Sequence, residues 1–397
     1  MKTPAAPTLT LRPGKERSLQ RRHPWLYAGA IARASGSAQS GQLVRVVSED
    51  GRFLAWAAFS PNSALRARAW TFSEDEVPDE AWLQARLVAA VARRRPLESR
   101  SNALRLVFGE ADGLPGLIVD RYADRLVVQL TAAGVEARRD EIVAGLAAVT
   151  GINDIYERSD AASRTREGLA GREGVLLGRA PDGPVSVSED GVAYQVDIVR
   201  GHKTGFYIDQ RDNRRLLASL AAGKRVLNCF CYTGGFTLAA LAQGALEAWS
   251  VDSSAEALAT ARAQQDLNRL DAPSHWLQAD VFDALKSFAA QGRRFDLIVL
   301  DPPKFAPSVQ HLDRATRAYK QLSLAALRLL EPGGRLLTFS CSGAVSVELF
   351  QKVIAGAVID ARVEAQMVAR LGAGEDHPFG MTHPEGEYLK GLMLVRV

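Results

Sequence analysis

Cysteine is scarce in this 397-residue sequence, which contains three of them. So few cysteines exclude a disulfide-stapled secreted scaffold and favour a reducing cytoplasm. Long apolar runs are missing as well, so no membrane span is expected. The opening segment MKTPAAPTLTLRPGKERS lacks the apolar centre of a secretory signal. A composition of 47% hydrophobic and 24% charged residues indicates an ordinary globular protein, long enough for two or three domains.

Positive charge is concentrated at one end of the chain. The formal net charge is +4, yet residues 1–72 hold eleven Lys or Arg and three acidic residues, a surplus of eight positive charges. The remaining residues therefore carry a net charge of −4. This asymmetry is typical of a polyanion-binding module joined to another domain. A solvated arginine-rich surface explains the same counts, and charge alone slightly favours that second explanation.

The pattern of apolar residues divides the chain into three parts. Residues 1–74 contain short alternating runs such as QLVRVVS and RFLAWAAFS between Gly and Pro-Asn turns, which predicts a small β-rich, barrel-like domain. Residues 75–184 combine the antiparallel strand candidates LRLVFGE, GLPGLIVDRY and DRLVVQLT with the amphipathic segment VEARRDEIVAGLAAVT. This combination predicts a small α+β central domain, in which the glycine-rich GLAGREGVLLGRAPDGP forms a loop or hairpin.

Strand-like and helix-length segments alternate over residues 185–397. RVLNCF precedes GFTLAALAQ, AWSVD precedes SSAEALATARAQQDLNR, and FDLIVLDPP precedes a long helix over 311–330. Alternation of this kind predicts an α/β fold with a doubly wound, mostly parallel sheet, here of seven strands. The last two strands, RVEAQMVARL and LKGLMLVRV, have no long helix between them and therefore predict an antiparallel edge.

Acidic residues follow successive strands of this predicted sheet. Ligands of open α/β sheets bind beyond the carboxyl ends of the strands. There Gly234 and Gly235 permit a tight turn and close approach of a ligand. Asp252 has the position of an acid that binds a ribose diol, and Asp280 can accept from an adenine amino group. Each of the two acids can instead be a helix N-cap. Together with Asp301-Pro302-Pro303 after the fourth strand, they favour a bound nucleoside.

The missing phosphate motif restricts the choice of nucleoside. A dinucleotide requires G-x-G-x-x-G at the first turn, and the sequence has CYTGGF there. S-adenosylmethionine has no phosphate and fits better. The expected cofactor is therefore S-adenosylmethionine, and a nicotinamide dehydrogenase is a distant alternative.

Four segments, NCFCYTGGF, VDSSAEAL, DPPKF and TFSCSG, resemble motifs I, II, IV and VI of class I methyltransferases. GHKTGFYIDQRDNR, EADGLPGLIVDRY and HPEGEYLKGL extend the resemblance, over nearly the whole chain, to the YccW-like bacterial family of 23S ribosomal RNA methyltransferases. That family makes 5-methylcytosine. The resemblance implies an N-terminal PUA RNA-binding domain (1–74), a central domain (75–184) and a Rossmann-like catalytic domain (185–397).

The resemblance also implies a set of cofactor-binding residues. They are Phe206, Gln210, Asn228, Thr233, Gly234, Gly235, Asp252, Ser253, Asp280, Val281 and Asp301, with Phe206 and Gln210 closing over the site. Two departures from general methyltransferase patterns matter. Asn228 stands where many class I enzymes have an acid, and the sequence DPPK lacks the aromatic residue found after the prolines in many amino-group methylases. The second departure argues against an exocyclic amine as the target.

Methylation at carbon 5 of cytosine requires a nucleophile that first adds to carbon 6. Cys341, at the end of the fifth predicted strand and before a helix, is the candidate. The helix N-terminus and Lys304 would favour its thiolate, and Asp301 would assist proton transfer on the base. Pro302 and Pro303 would form a rigid pocket wall. The competing interpretation of Cys341 is a small buried apolar residue.

The other cysteines and the late histidines have simpler explanations. Cys229 and Cys231 lack a second closely spaced pair, so packing is favoured over a metal site, and no metal is expected. His377 and His383 are expected in turns before the last strand. This explanation is preferred over an RNA contact by Glu385 or Lys390.

The expected partner is 23S ribosomal RNA, with the target base extruded into the pocket. A homodimer is compatible with the sequence. Two alternatives remain open, namely methylation of a guanine without a cysteine nucleophile and a non-catalytic RNA-binding or ribosome-assembly factor. The basic residues expected to contact phosphates, with Trp25 or Tyr27 as stacking candidates, are Arg12, Lys15, Arg17, Arg21, Arg22, Arg66 and Arg68.

Overall fold

A computed structural model describes residues 6–159 and 161–397. The chain forms two compact units. The first contains Met1–Val187, Val196–Ile208 and Asp376–Gly386, and the second contains Ser188–Gln195, Asp209–Glu375 and Glu387–Val397. The division into domains 1–74, 75–184 and 185–397 stays a prediction.

The first unit begins with a six-stranded sheet of order β2-β6-β5-β4-β1-β3. Its pairs are antiparallel except β1 with β4. In β6, Ala67 and Ala69 face the core while Arg66 and Arg68 point away from it, the alternation expected of a half-buried strand. The elements are β1 (Thr8–Leu11), α1 (Arg17–Gln20), β2 (Trp25–Tyr27), β3 (Ile31–Ser35), β4 (Leu43–Val47), β5 (Phe53–Phe59) and β6 (Leu65–Thr71).

A five-stranded sheet of order β11-β10-β9-β8-β7 follows in the same unit. The predicted antiparallel pairing of β7, β8 and β9 is confirmed. The glycine-rich stretch expected as loop or hairpin contributes an edge strand, β11, antiparallel to β10. The elements are α2 (Glu80–Arg94), β7 (Ala103–Phe108), β8 (Leu117–Tyr122), β9 (Arg125–Leu130), α3 (Ala133–Ala137), α4 (Arg139–Thr150), β10 (Asp154–Ser159), α5 (Ala161–Thr165) and β11 (Arg172–Leu177).

A short two-stranded sheet, β12 (Val185–Glu189) with β13 (Val192–Val196), precedes the seven-stranded sheet of the second unit. The order of that sheet is β16-β15-β14-β17-β18-β20-β19. Its elements are α6 (Arg211–Ser219), β14 (Arg225–Cys229), α7 (Gly235–Ala242), β15 (Glu247–Asp252), α8 (Ala255–Leu267), β16 (Ser274–Gln278), α9 (Val281–Ala290), β17 (Phe295–Leu300), α10 (Leu312–Leu329), β18 (Leu330–Ser340), α11 (Val347–Ala361), β19 (Ala365–Leu371) and β20 (Lys390–Arg396).

Strands β14 to β18 of this sheet run parallel, and β20 runs antiparallel to both of its neighbours. The predicted α/β fold with a doubly wound, mostly parallel sheet is therefore confirmed. The final strand lies inside the sheet between β18 and β19, so β19 is the outer strand of the predicted antiparallel pair.

Apolar cores cover both faces of this sheet. On β18, Leu336 packs in one core with Tyr319, whereas Leu337 and Phe339 pack in the other. Both faces of a doubly wound parallel sheet are buried in this way because helices cover each of them. The carboxyl ends of the strands remain as the edge at which polar side chains can gather.

The described residues contain neither a membrane-spanning helix nor a cluster of three metal-binding side chains. No helix within residues 6–159 and 161–397 is long and apolar enough to cross a membrane. In the same described part of the chain, no three His, Cys, Asp or Glu side chains are grouped so that they could hold a metal ion.

Candidate active site

The loop after β14 turns sharply into α7 with an unusual backbone. Phe230, Tyr232 and Gly234 have φ angles of 61°, 48° and 83°. Positive φ is rare for bulky aromatic residues and persists where the surrounding structure enforces it, often at ligand sites. At Gly234 a Cβ would lie 2.8 Å from Cη2 of Trp276, so a side chain is also excluded by space. The loop therefore presents bare backbone at the carboxyl edge of the sheet.

Asp252 ends β15 and joins the loops after the first two strands of the sheet. Its Oδ2 accepts a hydrogen bond from the Tyr232 N–H at 2.8 Å, and its Oδ1 accepts from the Ser254 N–H at 2.9 Å. The N-cap of α8 is Ser254, so capping does not explain Asp252. A carboxylate has about four acceptor positions, which leaves acceptor capacity on Asp252 for ligand hydroxyls.

Asp280 is the N-cap of α9. Its Oδ1 accepts from the N–H groups of Phe282 at 2.8 Å and Asp283 at 3.3 Å, so the capping interpretation holds for this residue. Asp280 is exposed, and within the described part of the chain no donor contacts its Oδ2. Ser253 is exposed beside Asp252, and Val281 is buried as the first residue of α9.

Phe206 and Gln210, expected to close over the cofactor, have separate surroundings. Phe206 belongs to the first unit, where it is buried and its N–H donates to the Tyr122 hydroxyl at 3.3 Å. Gln210 belongs to the second unit, where it precedes α6 and its Oε1 accepts from Nδ2 of Asn213 at 2.6 Å. A shared role in covering a ligand remains a prediction.

Asn228 and Thr233 contact the elements around the first loop. Asn228 is buried in β14 and donates through Nδ2 to the Thr237 hydroxyl at 2.9 Å, which ties the strand to α7. The carbonyl of Thr233 accepts from Nε2 of Gln264 at 2.9 Å, which ties the loop to α8. Both residues hold the loop in place from within the protein.

These strand ends fit an S-adenosyl nucleoside. Asp252 and Asp280 supply carboxylate acceptors suited to a ribose diol and an adenine amine, and the tight turn at Gly234 brings backbone to the same edge. Anionic side chains at this edge favour a ligand with a positively charged sulfonium and ammonium and disfavour a pyrophosphate. These hydrogen-bond acceptors and their negative charge therefore match the predicted cofactor.

The fourth strand brings the DPPK segment to the same edge. β17 is the neighbour of β14 at the point where the strand order reverses, the usual ligand position in such sheets. The Asp301 N–H lies 3.5 Å from the carbonyl oxygen of Cys229. Pro302 is buried, whereas Pro303 and Lys304 are exposed. DPPK thus begins at the centre of the candidate site and continues to its surface.

Cys341 follows β18 directly, and β18 pairs in parallel with β17. Its neighbours Ser340 and Ser342 are fully buried, and their hydroxyls contact the Tyr319 hydroxyl at 2.9 Å and 3.1 Å. The Ala306 N–H also donates to the Ser342 hydroxyl at 3.1 Å. Cys341 itself is partly exposed. The serines therefore anchor the turn and leave the cysteine between them at the sheet edge.

Lys390, which sequence reasoning treated only as a candidate RNA contact, is buried beside this turn. It is 5% exposed, and its Nζ donates to the Ser342 carbonyl at 3.0 Å. Burial lowers the pKa of this ammonium and Lys304 lowers it further, whereas Cys341 and Glu387 oppose the fall. The sequence signal was a lysine at the start of the apolar run LKGLMLV, but the partner of that strand was unknown.

The other two cysteines are buried. Cys229 is 0% exposed and Cys231 is 5% exposed. Burial raises the pKa of both thiols well above the ordinary range. Two inert thiols match the packing interpretation of the C-x-C pair.

The seven basic residues expected to contact RNA phosphates fall into two groups. Arg68 forms ion pairs with Glu167 at 2.8 Å and Glu110 at 3.7 Å, and Arg66 donates to the Pro61 carbonyl, so internal contacts hold both. The other five are exposed and form no salt bridge within the described residues, namely Arg12, Lys15, Arg17, Arg21 and Arg22.

The two aromatic candidates for base stacking also differ. The indole N–H of Trp25 donates to Glu110 at 2.8 Å, and its ring lies 4.6 Å from that of His383. These contacts favour packing for Trp25. Tyr27 is 53% exposed.

Two sequence profiles match the chain. The S-adenosylmethionine-dependent methyltransferase family matches residues 174–374, and the PUA-like domain matches residues 9–72. Two solved structures share the fold at 24% identity and cover 98% of this chain and 99% of their own. One is described as an S-adenosylmethionine-dependent methyltransferase from Streptococcus mutans and has a TM-score of 0.83. The other is described as a methyltransferase complexed with SAH and has a TM-score of 0.85.

Curated relatives are more similar in sequence. "Ribosomal RNA large subunit methyltransferase I" of Shewanella denitrificans is 48% identical over 97% of this chain and 98% of its own length. The protein of the same name from Aeromonas hydrophila is 48% identical over 96% of this chain and 97% of its own length. With the strand-end carboxylates and the glycine turn, these matches show that the chain belongs to the S-adenosylmethionine-dependent methyltransferase family that includes the ribosomal RNA large subunit methyltransferases I.

Proposed function

We propose that this protein methylates carbon 5 of a cytosine in 23S ribosomal RNA, with Cys341 as the nucleophile. The observation that carries the proposal is a partly exposed cysteine directly after β18, next to the strand that precedes Asp301. Relatives that match almost the whole chain are named as methyltransferases of large-subunit ribosomal RNA, which supports the substrate class.

The chemistry explains why a cysteine is needed. Carbon 5 of cytosine is a poor nucleophile, so the Cys341 thiolate adds to carbon 6 and shifts the electrons of the 5,6 double bond into an enamine. When bound, S-adenosylmethionine supplies the methyl group from its sulfonium and leaves as S-adenosylhomocysteine. A base then removes the carbon 5 proton. The carbon–sulfur bond breaks, its electron pair returns to sulfur, and the double bond re-forms.

The DPPK segment would hold the base during these steps. Asp301 is suited to hydrogen-bond the polar edge of cytosine and to assist proton transfer at ring nitrogen 3. Pro302 and Pro303 form a rigid wall against the ring, because proline restricts the backbone. Lys304 is exposed and suited to a phosphate next to the target nucleotide.

RNA binding is assigned to the PUA-like domain. The target base leaves the stack to enter the pocket, while domain 1–74 holds the surrounding RNA. Domain 75–184 then connects it to catalytic domain 185–397. A ribosomal RNA substrate places the protein in the cytoplasm. The phosphate contacts are assigned to the exposed cations Arg12, Lys15, Arg17, Arg21 and Arg22.

The test is nucleoside mass spectrometry of ribosomal RNA methylated by the wild type and by C341A. We expect 5-methylcytosine with the wild type and at least about a thousandfold loss of rate with C341A. C229A, which removes a thiol buried in the core at the end of β14 and keeps Cys341, should retain activity. An RNA containing 5-fluorocytidine adds a second readout, since fluorine at carbon 5 prevents the last elimination and traps the adduct with the wild type only.

Other outcomes separate the alternatives. A methylated guanine together with full activity of C341A would establish the guanine alternative and refute the cysteine mechanism. RNA binding without methyl transfer in every reaction would identify a non-catalytic factor.

A further inference from the structure

Lys390 is held next to Cys341 by the pairing of the last strand. In the antiparallel register of β18 and β20, Lys390 lies opposite Ser340, the residue before Cys341. Its Nζ then reaches past Cys341 in sequence to the Ser342 carbonyl at 3.0 Å. Lys390 therefore contacts the turn that carries the thiol. The strand pair fixes its backbone, and the hydrogen bond to the Ser342 carbonyl fixes its ammonium group.

The turn that receives this lysine is itself rigid. The Ser342 hydroxyl forms a hydrogen bond with the Tyr319 hydroxyl and accepts another from the Ala306 N–H. The backbone N–H of Ser342 donates to the Ser340 hydroxyl at 3.3 Å. Burial raises the pKa of Tyr319, so its hydroxyl remains a neutral hydrogen-bonding group. The Ser342 carbonyl is thus fixed, and so is the position of the ammonium.

A buried ammonium needs a compensating charge. Within residues 6–159 and 161–397, Lys390 has no carboxylate within 4.0 Å, and its hydrogen-bond partner is a neutral carbonyl. The charged or titratable groups that act on Lys390 are Cys341, which follows β18, Glu387, which precedes β20, and Lys304 on the DPPK segment. Of these, only the thiol of Cys341 can acquire a negative charge and also react.

We propose that Lys390 is a positioning residue that holds Cys341 as a thiolate ready to attack the pyrimidine ring. The thiol proton leaves to water with the electron pair retained on sulfur, and the Lys390 ammonium stabilises the resulting charge before addition and again after elimination. A buried cation acts more strongly than exposed Lys304, whose field water and salt screen. This role rests on the proposed attack of Cys341.

Alkylation of the full-length protein by iodoacetamide measures the thiolate directly. Cys229 and Cys231 are buried, so peptide mass spectrometry follows Cys341, and C341S reports the background. We expect the rate to rise with pH through a midpoint below the ordinary value of about 8.5 for a free thiol. In K390M the midpoint rises by about one unit or more. K390R restores most of the shift, and K352M, which removes an exposed lysine paired with Glu348, leaves it unchanged.

Two further measurements keep the outcomes distinct. Thermal unfolding and calorimetric binding of S-adenosylhomocysteine establish that each variant is folded, and K390Q replaces K390M if the latter is not. Equal midpoints in the wild type and in a folded K390M or K390Q would overturn the role of Lys390, even if C341A is inactive. Full methyl transfer by C341A would instead overturn the proposed function, whatever the alkylation midpoints.

Discussion

Replacing Gly234 by alanine should weaken both the fold and the cofactor site, because two separate costs arise at this position. A non-glycine residue at a φ of 83° costs about 1–2 kcal/mol. The added Cβ would also lie 2.8 Å from Cη2 of Trp276 and 3.1 Å from Cβ of Ala261, and overpacking of this kind costs about 1–3 kcal/mol. We therefore expect a loss of about 2–5 kcal/mol in the free energy of unfolding.

Gly244 provides the matched control. Its φ is 81°, yet a Cβ there would meet nothing within 4 Å. G244A should therefore lose only the backbone cost of about 1–2 kcal/mol. Urea unfolding of the two variants gives the packing cost by difference, and calorimetry should show at least tenfold weaker S-adenosylhomocysteine binding in G234A alone. Equal destabilisation of the two variants, or unchanged affinity in G234A, would refute this account of the loop.

Three further predictions concern capping, acid stability and RNA affinity. D280N keeps an N-cap residue and should lose cofactor affinity with little change in stability, whereas D280A should lose cofactor affinity and about 1 kcal/mol of stability. Calorimetry measures the affinity and urea unfolding measures the stability. Wild-type affinity in both variants would show that Asp280 only caps the helix. Partial burial raises the pKa of Asp296, but hydrogen bonds from Arg225 outweigh burial and lower the pKa below its usual value. A carboxylate with a depressed pKa contributes stability that is fully present above its unfolded pKa of about 4 and disappears as the pH falls through its folded pKa. The free energy of unfolding of D296N should therefore be lower than that of the wild type by up to about 1 kcal/mol at pH 7, and it should fall less on acidification to pH 3. In a plot of the logarithm of RNA affinity against the logarithm of salt concentration, the slope for R17A should be smaller than that of the wild type by about 0.7–0.9, because one phosphate contact is lost. R294A, which changes an exposed residue of the other unit, should have the wild-type slope. Equal slopes for R17A and the wild type would show that Arg17 does not contact RNA phosphates.

Local patterns were enough to predict the α/β fold of the catalytic region and the residues at its strand ends. Alternating strands and helices require parallel strands, and parallel strands place their carboxyl ends at one edge. The sequence alone therefore assigned Asp252, Asp280 and Asp301 to the carboxyl edge of the sheet. The same logic identified the glycine turn, since a short loop between β14 and α7 needs a residue that tolerates positive φ.

Contacts distant in sequence were beyond these patterns. A lysine at a strand start is ordinarily exposed, and the burial of Lys390 follows from the insertion of β20 between β18 and β19. Arg68 alternates outward on β6 like a surface residue, but Glu167, far along the chain, neutralises it. The glycine-rich segment around β11 has few strand-forming residues, and pairing with β10 makes it a strand.

The sequence by itself determined which residues have reactive or ligand-binding chemistry and at which strand ends they stand, because periodicity and turn residues are properties of neighbours in the chain. Only the tertiary structure decided which of them have partners. The pairing of Ser340 with Lys390, the anchoring of the Cys341 turn through Tyr319 and the ion pairs of Arg68 join segments separated by tens of residues. Such contacts arise from the packing of whole elements, which no local pattern encodes.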